Sequence, residues 1–238
     1  MSDLSDSLAA APDDLQRARA DALATDVGRL RKVVSDQQQR IDALERIADY
    51  SGRALKPPRW LARTPKKRDK TATIVSILSD THFDEMVNPF EIAGRNAYDR
   101  TIAEMRLTRY FERAVSLPRD YLAGMTYDGF VLMLGGDLIS GDIHDELSQT
   151  NEAQTLDTVL HWSERIAAGI GLLADEFGQV HVPVVVGNHG RRSRKPRAKG
   201  RARDNYDWLI GQLLARHFDQ DPRVTFDIPD GTDCLVKV

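Results

Sequence analysis

Residues Val131 to Asp142 read VLMLGGDLISGD, an apolar run that ends in two glycines and an aspartate. A short apolar run bounded by glycines is typical of a buried β-strand. The two glycines allow the backbone to turn tightly, which leaves Asp137 just beyond the strand. Because ligands of open α/β sheets bind beyond the carboxyl ends of strands, Asp137 is a candidate site residue.

Two further apolar runs, one before and one after this stretch, end in the same kind of polar residues. The earlier run, SILSDTHFDE, contains Asp80 and His82, whose spacing in an extended backbone points both side chains to one side. The later run, VVVGNHG, supplies Asn188 and His189. Each motif alone is typical of a turn, but the ordered set, separated by helix-sized spacers, predicts one shared site.

The alternation of apolar runs with helical periodicity predicts an α/β fold. Expected helices lie near residues 96–117, 152–177 and 206–218, and helices of this kind cover a sheet on its outer face. The expected strands are Ala72–Leu78, Phe130–Leu134, Val180–Val186, Val224–Ile228 and Cys234–Val238. Because the last of these reaches the final residue, we expect the reading frame to continue beyond it.

Composition restricts the function classes. The 238 residues allow one sizeable α/β core with an appendage, and the formal net charge of −3 does not by itself indicate a polyanion partner. The single cysteine, Cys234, excludes an internal disulfide and any multi-cysteine metal site, so a metal would need His, Asp, Asn or Glu ligands. With no apolar run long enough to span a bilayer and an acidic N-terminus, we expect no membrane contact and a cytoplasmic location.

The N-terminal region, residues 1–50, has a heptad pattern. Its seam consists of Ala20, Leu23, Val27, Leu30, Val34, Gln37, Ile41, Leu44 and Ala48. The pattern predicts a helix that either packs on its own domain or self-associates as a coiled coil, which would make the protein a homo-oligomer. Residues 51–70 are basic and contain two adjacent prolines, which predicts a linker, and residues 71–238 form the predicted α/β domain.

The ordered motifs Asp-x-His, Gly-Asp and Gly-Asn-His resemble those of the calcineurin-like metallophosphoesterases, in particular phage-encoded members, for which the location would be the host cytoplasm. The resemblance runs from about residue 74 to residue 238. It implies a four-layer α/β/β/α sandwich, here incomplete at its C-terminus, with two divalent ions at one end of the sheets. It also implies that Asp80 and His82 hold one ion, that Asp137 bridges both, that Asn188 holds the second, and that His189 is the catalytic residue facing the substrate.

The chemistry of these residues agrees with the resemblance. Oxygen and imidazole ligands suit Mn²⁺, which we expect, or Fe, Zn²⁺ or Mg²⁺. Paired cations activate a water molecule as nucleophile and stabilise charge on phosphoryl oxygens. His189, as imidazolium, can stabilise or protonate the leaving oxygen.

The sequence departs from the family pattern in two places. Gly190 stands where family members commonly have an acidic residue that orients the preceding histidine. The family's later histidine motifs do not follow; among the remaining histidines, His144 is the one placed to contact the substrate. His161 and His217 fall in helical patterns, and His181 precedes a strand at the wrong end.

A basic run follows the third motif, with eight basic residues among the thirteen from Arg191 to Arg203. Arginine forks match phosphate oxygens, so we expect nucleic acid as the substrate. The substrate-binding candidates are Arg191, Arg192, Arg194, Lys195 and Arg197. The sequence therefore predicts a two-metal phosphodiesterase, a nuclease of DNA metabolism. The alternatives are a phosphatase or cyclic-nucleotide phosphodiesterase, and an inactive domain that acts as a nucleic-acid-binding scaffold.

Overall fold

The computed structural model describes residues 23–35, 37–38, 41, 57–61, 70–122, 124–143, 145–195 and 199–238. The chain divides into two compact units, Met1–Ala54 and Leu55–Val238. The predicted linker is described only at residues 57–61 and 70. Within it, Leu61 is buried, and the ring of Trp60 lies against Gly129, so this part of the segment packs on the second unit.

The first unit contains a helix, α1, described at residues 23–35, 37–38 and 41, as the heptad pattern predicts. Its described residues are exposed, including the apolar seam residues Leu23, Val27, Leu30, Val34 and Ile41. The seam residues Ala20, Leu44 and Ala48 lie outside the described residues.

The second unit contains a four-stranded parallel sheet with the strand order β1-β2-β3-β4. Leu78, the last residue of β1, is paired with Leu134, the last residue of β2, so these two strands end side by side. The carboxyl ends that carry the three sequence motifs therefore lie along one edge. The strands are β1 (Thr71–Leu78), β2 (Thr126–Leu134), β3 (Val180–Pro183) and β4 (Val224–Asp227).

Helices connect successive strands. Because the strand order follows the chain and parallel crossovers are right-handed, the connecting helices pack on one face of the sheet. The core lies between that face and the helices, around the buried side chains of Phe130, Leu132, Trp162 and Ile170. The helices are α2 (Arg100–Ser116), α3 (Asp145–Thr150), α4 (Thr155–Phe177) and α5 (Tyr206–His217), with a 3₁₀ turn at Pro89–Ile92 and a π-helical turn at Leu117–Tyr121.

The opposite face of the sheet is exposed at β1. Val75 and Ile77 are 45% and 58% exposed, although alternate residues of the same strand face the helices. The described residues form a single sheet, so the α/β architecture with a preceding helix is confirmed at this level. The predicted second sheet stays a prediction.

The predicted strand at Cys234–Val238 is wrong, because these residues have no regular secondary structure. The thiol of Cys234 donates a hydrogen bond to Asp227 Oδ2 (3.2 Å), so this segment contacts β4 through a side chain instead of a backbone ladder. An apolar run without a backbone partner does not form a strand. None of the helices in the described part of the chain has the length and apolarity needed to cross a bilayer.

Candidate metal centre

The loops that follow β1 and β2 remain hydrogen-bonded to each other beyond the ends of the strands. The amide of Asp80 donates to the carbonyl of Gly136 (3.1 Å), and the amide of His82 donates to the carbonyl of Asp137 (3.1 Å). The hydroxyl of Thr81 adds a bond to the carbonyl of Leu138 (2.7 Å). These cross-links place the Asp-x-His loop directly beside Asp137.

Asp80, His82 and Asp137 form a group that can hold a metal ion. One donor atom from each lies within 4.8 Å of the donor atoms of the other two. Asp80 is exposed, whereas Asp137 is buried, so the group lies at the surface end of the strands. Glu85 Oε2 lies 3.8 Å from His82 Nδ1, which is beyond hydrogen-bond distance, so this carboxylate faces the imidazole without a direct bond to it. Two carboxylates and an imidazole suit a divalent first-row ion or Mg²⁺.

The backbone at these three residues is strained. Asp80, His82 and Asp137 have φ values of 50°, 45° and 39°, in the left-handed region that residues other than glycine rarely adopt. The sequence predicts an extended backbone that places the side chains of Asp80 and His82 on one side. That expectation of an extended backbone is wrong, because both residues have positive φ. The two side chains meet Asp137 because the loop cross-links hold an unfavourable conformation, and strain of this kind is concentrated at functional sites.

Two glycines allow the loops after β2 and β3 to touch. A Cβ on Gly136, whose φ is +90°, would overlap the backbone of Gly187. A Cβ on Gly187 would in turn overlap the carboxylate of Asp137. Both positions therefore require glycine, because any larger residue would push the two loops apart.

His189 lies against the cluster. Its ring packs edge-on against His82, with 4.4 Å between ring centroids. Its backbone amide donates to Asp137 Oδ1 (2.6 Å), and its Nδ1 donates to the carbonyl of Ser140 (3.0 Å). Since a carbonyl only accepts, Nδ1 has the proton, and in the neutral ring the lone pair is then on Nε2.

Asn188 is exposed at the same turn, and its carbonyl accepts a hydrogen bond from Arg191 Nη1 (2.8 Å). The five residues that the sequence predicts as metal ligands or catalyst thus lie on three adjacent loops. The structure brings Asp80, His82, Asp137 and the ring of His189 together through the contacts above.

Asp207, at the start of α5, is a site residue that the sequence did not predict. It is fully buried, and its carboxylate accepts the amides of Asp137 (3.2 Å), Leu138 (3.1 Å) and Gly187 (2.9 Å). Burial raises its pKa to about 6; the charge of Asp137 acts in the same direction, and the bonds from the Gly187 and Leu138 amides oppose the rise. Asp207 therefore ties the loop after β2 to the loop after β3.

Asn205 strengthens this connection. Its Oδ1 caps α5 by accepting the amide of Asp207 (2.8 Å), while its Nδ2 donates to the carbonyl of Gly187 (3.0 Å). A Cβ on Gly190 would lie 2.5 Å from Asn205 Oδ1 and 3.1 Å from Asp207 Cγ. The position therefore has no room for the acidic side chain that the resemblance would place there, because the start of α5 occupies that space.

An ion pair between the buried carboxylate of Asp84 and the partly buried Arg100 holds the loop after β1 from its other side. Arg100 makes two hydrogen bonds to Asp84, from Nε (2.8 Å) and from Nη2 (2.7 Å). Burial acts to raise the pKa of Asp84, but hydrogen bonds and the charge of Arg100 outweigh it, so the pKa lies below its usual value. The pair anchors the Asp-x-His loop to the first turn of α2.

The basic run is partly paired with acidic side chains. Arg192 pairs with Asp204 (3.3 Å), Arg194 with Asp145, and Arg203 with Asp230 (2.6 Å). The side chain of Arg191 donates to carbonyls of its own loop, at Asn188, Ser193 and Arg194. Within the described residues, the exposed basic side chains of this run that form no ion pair are Lys195, Lys199 and Arg201.

The other histidines that the structure describes lie away from the cluster. His161 pairs with Glu104 (2.8 Å) on the helical face, His181 is buried within β3, and His217 ends α5. His144 and Arg197, both predicted to contact the substrate, lie outside the described residues.

Comparison of the chain with protein-family models, curated proteins and solved structures finds no match. The site is therefore interpreted from its own geometry.

Proposed function

We propose that the protein is a metal-dependent phosphoesterase that hydrolyses phosphodiester bonds and acts on nucleic acid. The observation that supports this most is the convergence of Asp80, His82 and Asp137, from two different strand ends, within 4.8 Å. The buried carboxylate of Asp207 accepts a hydrogen bond from the Asp137 amide, and the backbone is strained at all three residues. Such an arrangement costs stability, which favours a functional role over a chance surface cluster.

The donor set fits a divalent cation, and we propose Mn²⁺, with Fe, Zn²⁺ and Mg²⁺ as alternatives. When bound, such a cation lowers the pKa of a coordinated water and offsets charge on phosphoryl oxygens. The protein's own contribution is positional. The His189 ring, fixed by Ser140 and packed against His82, can hold a proton close to the leaving oxygen.

We further propose that a second ion binds between Asp137 and Asn188. The amide of His189, the residue after Asn188, donates to Asp137 Oδ1, so the two candidate ligands lie on directly connected loops. A shared carboxylate offsets the repulsion between two cations. Titration with Mn²⁺ should therefore give two ions per chain, and a stoichiometry of one would remove the second ion from the proposal.

The choice of nucleic acid as substrate rests on the basic run. Its ion pairs are exposed, and exposed pairs contribute only about 0–1 kcal/mol, so a phosphate can replace the carboxylate partner. Lys195, Lys199 and Arg201 add cations that form no ion pair among the described residues. Arginine and lysine side chains of this kind bind phosphates without reading the sequence of bases.

The four-layer sandwich is part of the same proposal. The helices cover one face of the sheet, whereas Val75 and Ile77 are exposed on the opposite face of β1. A second sheet packed there would bury these side chains.

The test measures Mn²⁺ binding by calorimetry and hydrolysis of bis(4-nitrophenyl) phosphate in the same samples. We expect Asp80→Asn and Asp137→Asn to lose both, since asparagine tolerates the left-handed backbone but lacks the charge. Asp142→Asn, at an exposed aspartate in the loop after β2, is the matched control and should retain both. Full hydrolysis in the first two variants would exclude the assignment.

Substrate choice separates the alternatives. Cleavage of small esters but not of DNA would identify a phosphatase or cyclic-nucleotide phosphodiesterase. DNA binding without metal binding or hydrolysis would identify a scaffold.

A further inference from the structure

A cavity of ≈ 480 Å³ opens beside the candidate metal ligands Asp80 and His82. Asp80 and His82 line one end, and α2 lines the other side. Its volume lies within the range of small-ligand sites, about 300–1,000 Å³, and is sufficient for one nucleotide.

The side of the cavity formed by α2 is one continuous helical face. Ala103, Arg106, Leu107 and Tyr110 follow the spacing i, i+3, i+4, i+7, which places them in one stripe. Ala103 and Leu107 are buried and, together with Phe83, give the cavity an apolar floor. An apolar floor next to a charged cluster suits a substrate that has both an apolar and an anionic part.

Two tyrosines form the walls. The Tyr98 hydroxyl donates to the carbonyl of Thr81 (2.5 Å), and the Tyr110 hydroxyl is hydrogen-bonded to Ser76 Oγ (2.7 Å). Burial raises the pKa of Tyr98 to about 12 and raises that of Tyr110, so both remain neutral phenols. Both rings line the cavity and offer planar surface, against which a base or another flat ring can pack.

Arg106 supplies a positive charge at the rim. Its guanidinium carbon lies 5.3 Å from the centre of the Tyr98 ring, and the side chain is exposed. Among the described residues, no carboxylate lies within ion-pair distance of it. An arginine held over an aromatic ring can bind phosphate or stack on a base.

We infer that this cavity holds the nucleoside part of a single unpaired nucleotide, with the phosphate to be cleaved at the metal cluster and Arg106 contacting the nucleotide. The inference rests on the proposed function and names its substrate class. A duplex must therefore present a frayed or single-stranded end to the site.

The test compares two esters with the same leaving group, thymidine 5′-(4-nitrophenyl phosphate) and methyl 4-nitrophenyl phosphate. We expect kcat/KM to be at least about tenfold higher for the nucleoside ester. Arg106→Gln should lower this ratio by about tenfold, because it removes the guanidinium that stacks on the base of the nucleoside ester, a contact that the methyl ester cannot make. Arg109→Gln, on the same helix but outside the lining, is the control and should not change the ratio.

A second readout does not depend on hydrolysis. Thymidine 5′-monophosphate should bind the metal-free protein in calorimetry, and Arg106→Gln should weaken that binding. Equal kcat/KM for the two esters, or hydrolysis without nucleotide binding, would overturn the cavity assignment alone. Nucleotide binding that Arg106→Gln weakens, with no hydrolysis of either ester, would overturn the proposed function and support the cavity.

A separate observation concerns α1, whose apolar seam is exposed. Leu23, Val27, Leu30, Val34 and Ile41 are 44% to 64% exposed. The β-branched residues occupy the a positions of the heptad and the leucines occupy d, the distribution that favours parallel two-stranded coiled coils. The seam thus fits a second copy of itself.

The flanking charges agree with a parallel arrangement. Asp26 occupies a g position and Arg31 the following e position, which meet across a parallel dimer. The sequence repeats this pattern with opposite order of sign at Arg40 and Glu45. We propose that α1 pairs in parallel with α1 of a second copy, with Gln37 opposite its twin fixing the register.

The test uses the full chain with Cys234→Ser as background. Leu23→Cys should form a disulfide-linked dimer on oxidation, because d positions near one helix end meet only when the helices are parallel. Lys32→Cys, on the outer face, should not cross-link. A monomer in sedimentation would overturn the proposal and favour packing of α1 on its own domain. A dimer without the Leu23→Cys disulfide would also overturn it, since it indicates antiparallel pairing.

Discussion

The substitution Asp207→Asn tests whether one buried carboxylate holds the loops of the candidate metal centre. Asp207 accepts three backbone amides, two on Oδ2 and one on Oδ1. Asparagine has one carbonyl oxygen, so at best the Asp137 and Gly187 amides remain paired and the Leu138 amide faces another donor. An unpaired buried donor costs about 1–3 kcal/mol, and the facing donors add to it. The raised pKa of Asp207 means that the buried charge opposes folding at neutral pH and above, and the neutral amide removes that cost, so we expect a net loss of about 1–2 kcal/mol.

The assay is urea unfolding followed by far-UV circular dichroism at about pH 8, where a carboxyl with a pKa of about 6 is ionised. Asp157→Asn is the matched control, because Asp157 is exposed and also lies in the first turn of a helix. It should lose no more than the helix-dipole contribution, about 0.3–1 kcal/mol. Mn²⁺ affinity should fall at least about tenfold in Asp207→Asn only. Equal losses in both variants, with unchanged Mn²⁺ affinity, would refute the reasoning.

Three further predictions follow from features of the same unit. Gly187→Ala should lower Mn²⁺ affinity at least about tenfold, because its Cβ would overlap the Asp137 carboxylate, whereas Gly171→Ala, in open space on α4, should not; calorimetry measures both. Burial lowers the pKa of His181 below 6.5, so at this group the folded state binds fewer protons than the unfolded state, and its contribution to the free energy of unfolding falls as pH drops below 6.5. The raised pKa of Asp207 acts in the opposite direction below about pH 6, so the measurement compares urea unfolding of the wild type and His181→Gln, and the free energy of unfolding of the variant should decrease less over this range. Replacing Lys195, Lys199 and Arg201 by glutamine should reduce the salt slope of DNA binding by about 2–3, measured by fluorescence anisotropy, and an unchanged slope would exclude the basic run from the interface.

The sequence predicted the strands of the sheet and the helices that cover it where periodicity and composition agreed. Phe130–Leu134 and Tyr206–His217 are examples, because each apolar pattern also has a partner that buries it. Cys234–Val238 shows the limit, since its apolar pattern was the only support for a strand and the structure pairs it with no strand among the described residues. Pairing depends on the rest of the fold, which local pattern does not contain.

The candidate site was predicted through the ends of strands. Asp80, His82 and Asp137 were found because parallel strands bring their carboxyl ends together. Asp207 was missed because an aspartate in the first turn of a helix is usually an exposed dipole partner. Only the packing of α5 against two loops shows that this carboxylate is buried. The sequence signal was Asn205 two residues before it, a helix cap that also donates to Gly187.

The hydrogen bonds and the ion pair that connect the three loops affect how an ion would bind. Amide-to-carbonyl bonds between the loops, the Asp207 carboxylate and the Asp84–Arg100 pair hold the ligands without help from a metal. Because the loops are already ordered, ion binding loses little free energy to the conformational entropy of the chain. A chelator should therefore remove the ion without unfolding the protein. When the ion is added back, the rise in melting temperature should depend only on the ion concentration relative to its dissociation constant.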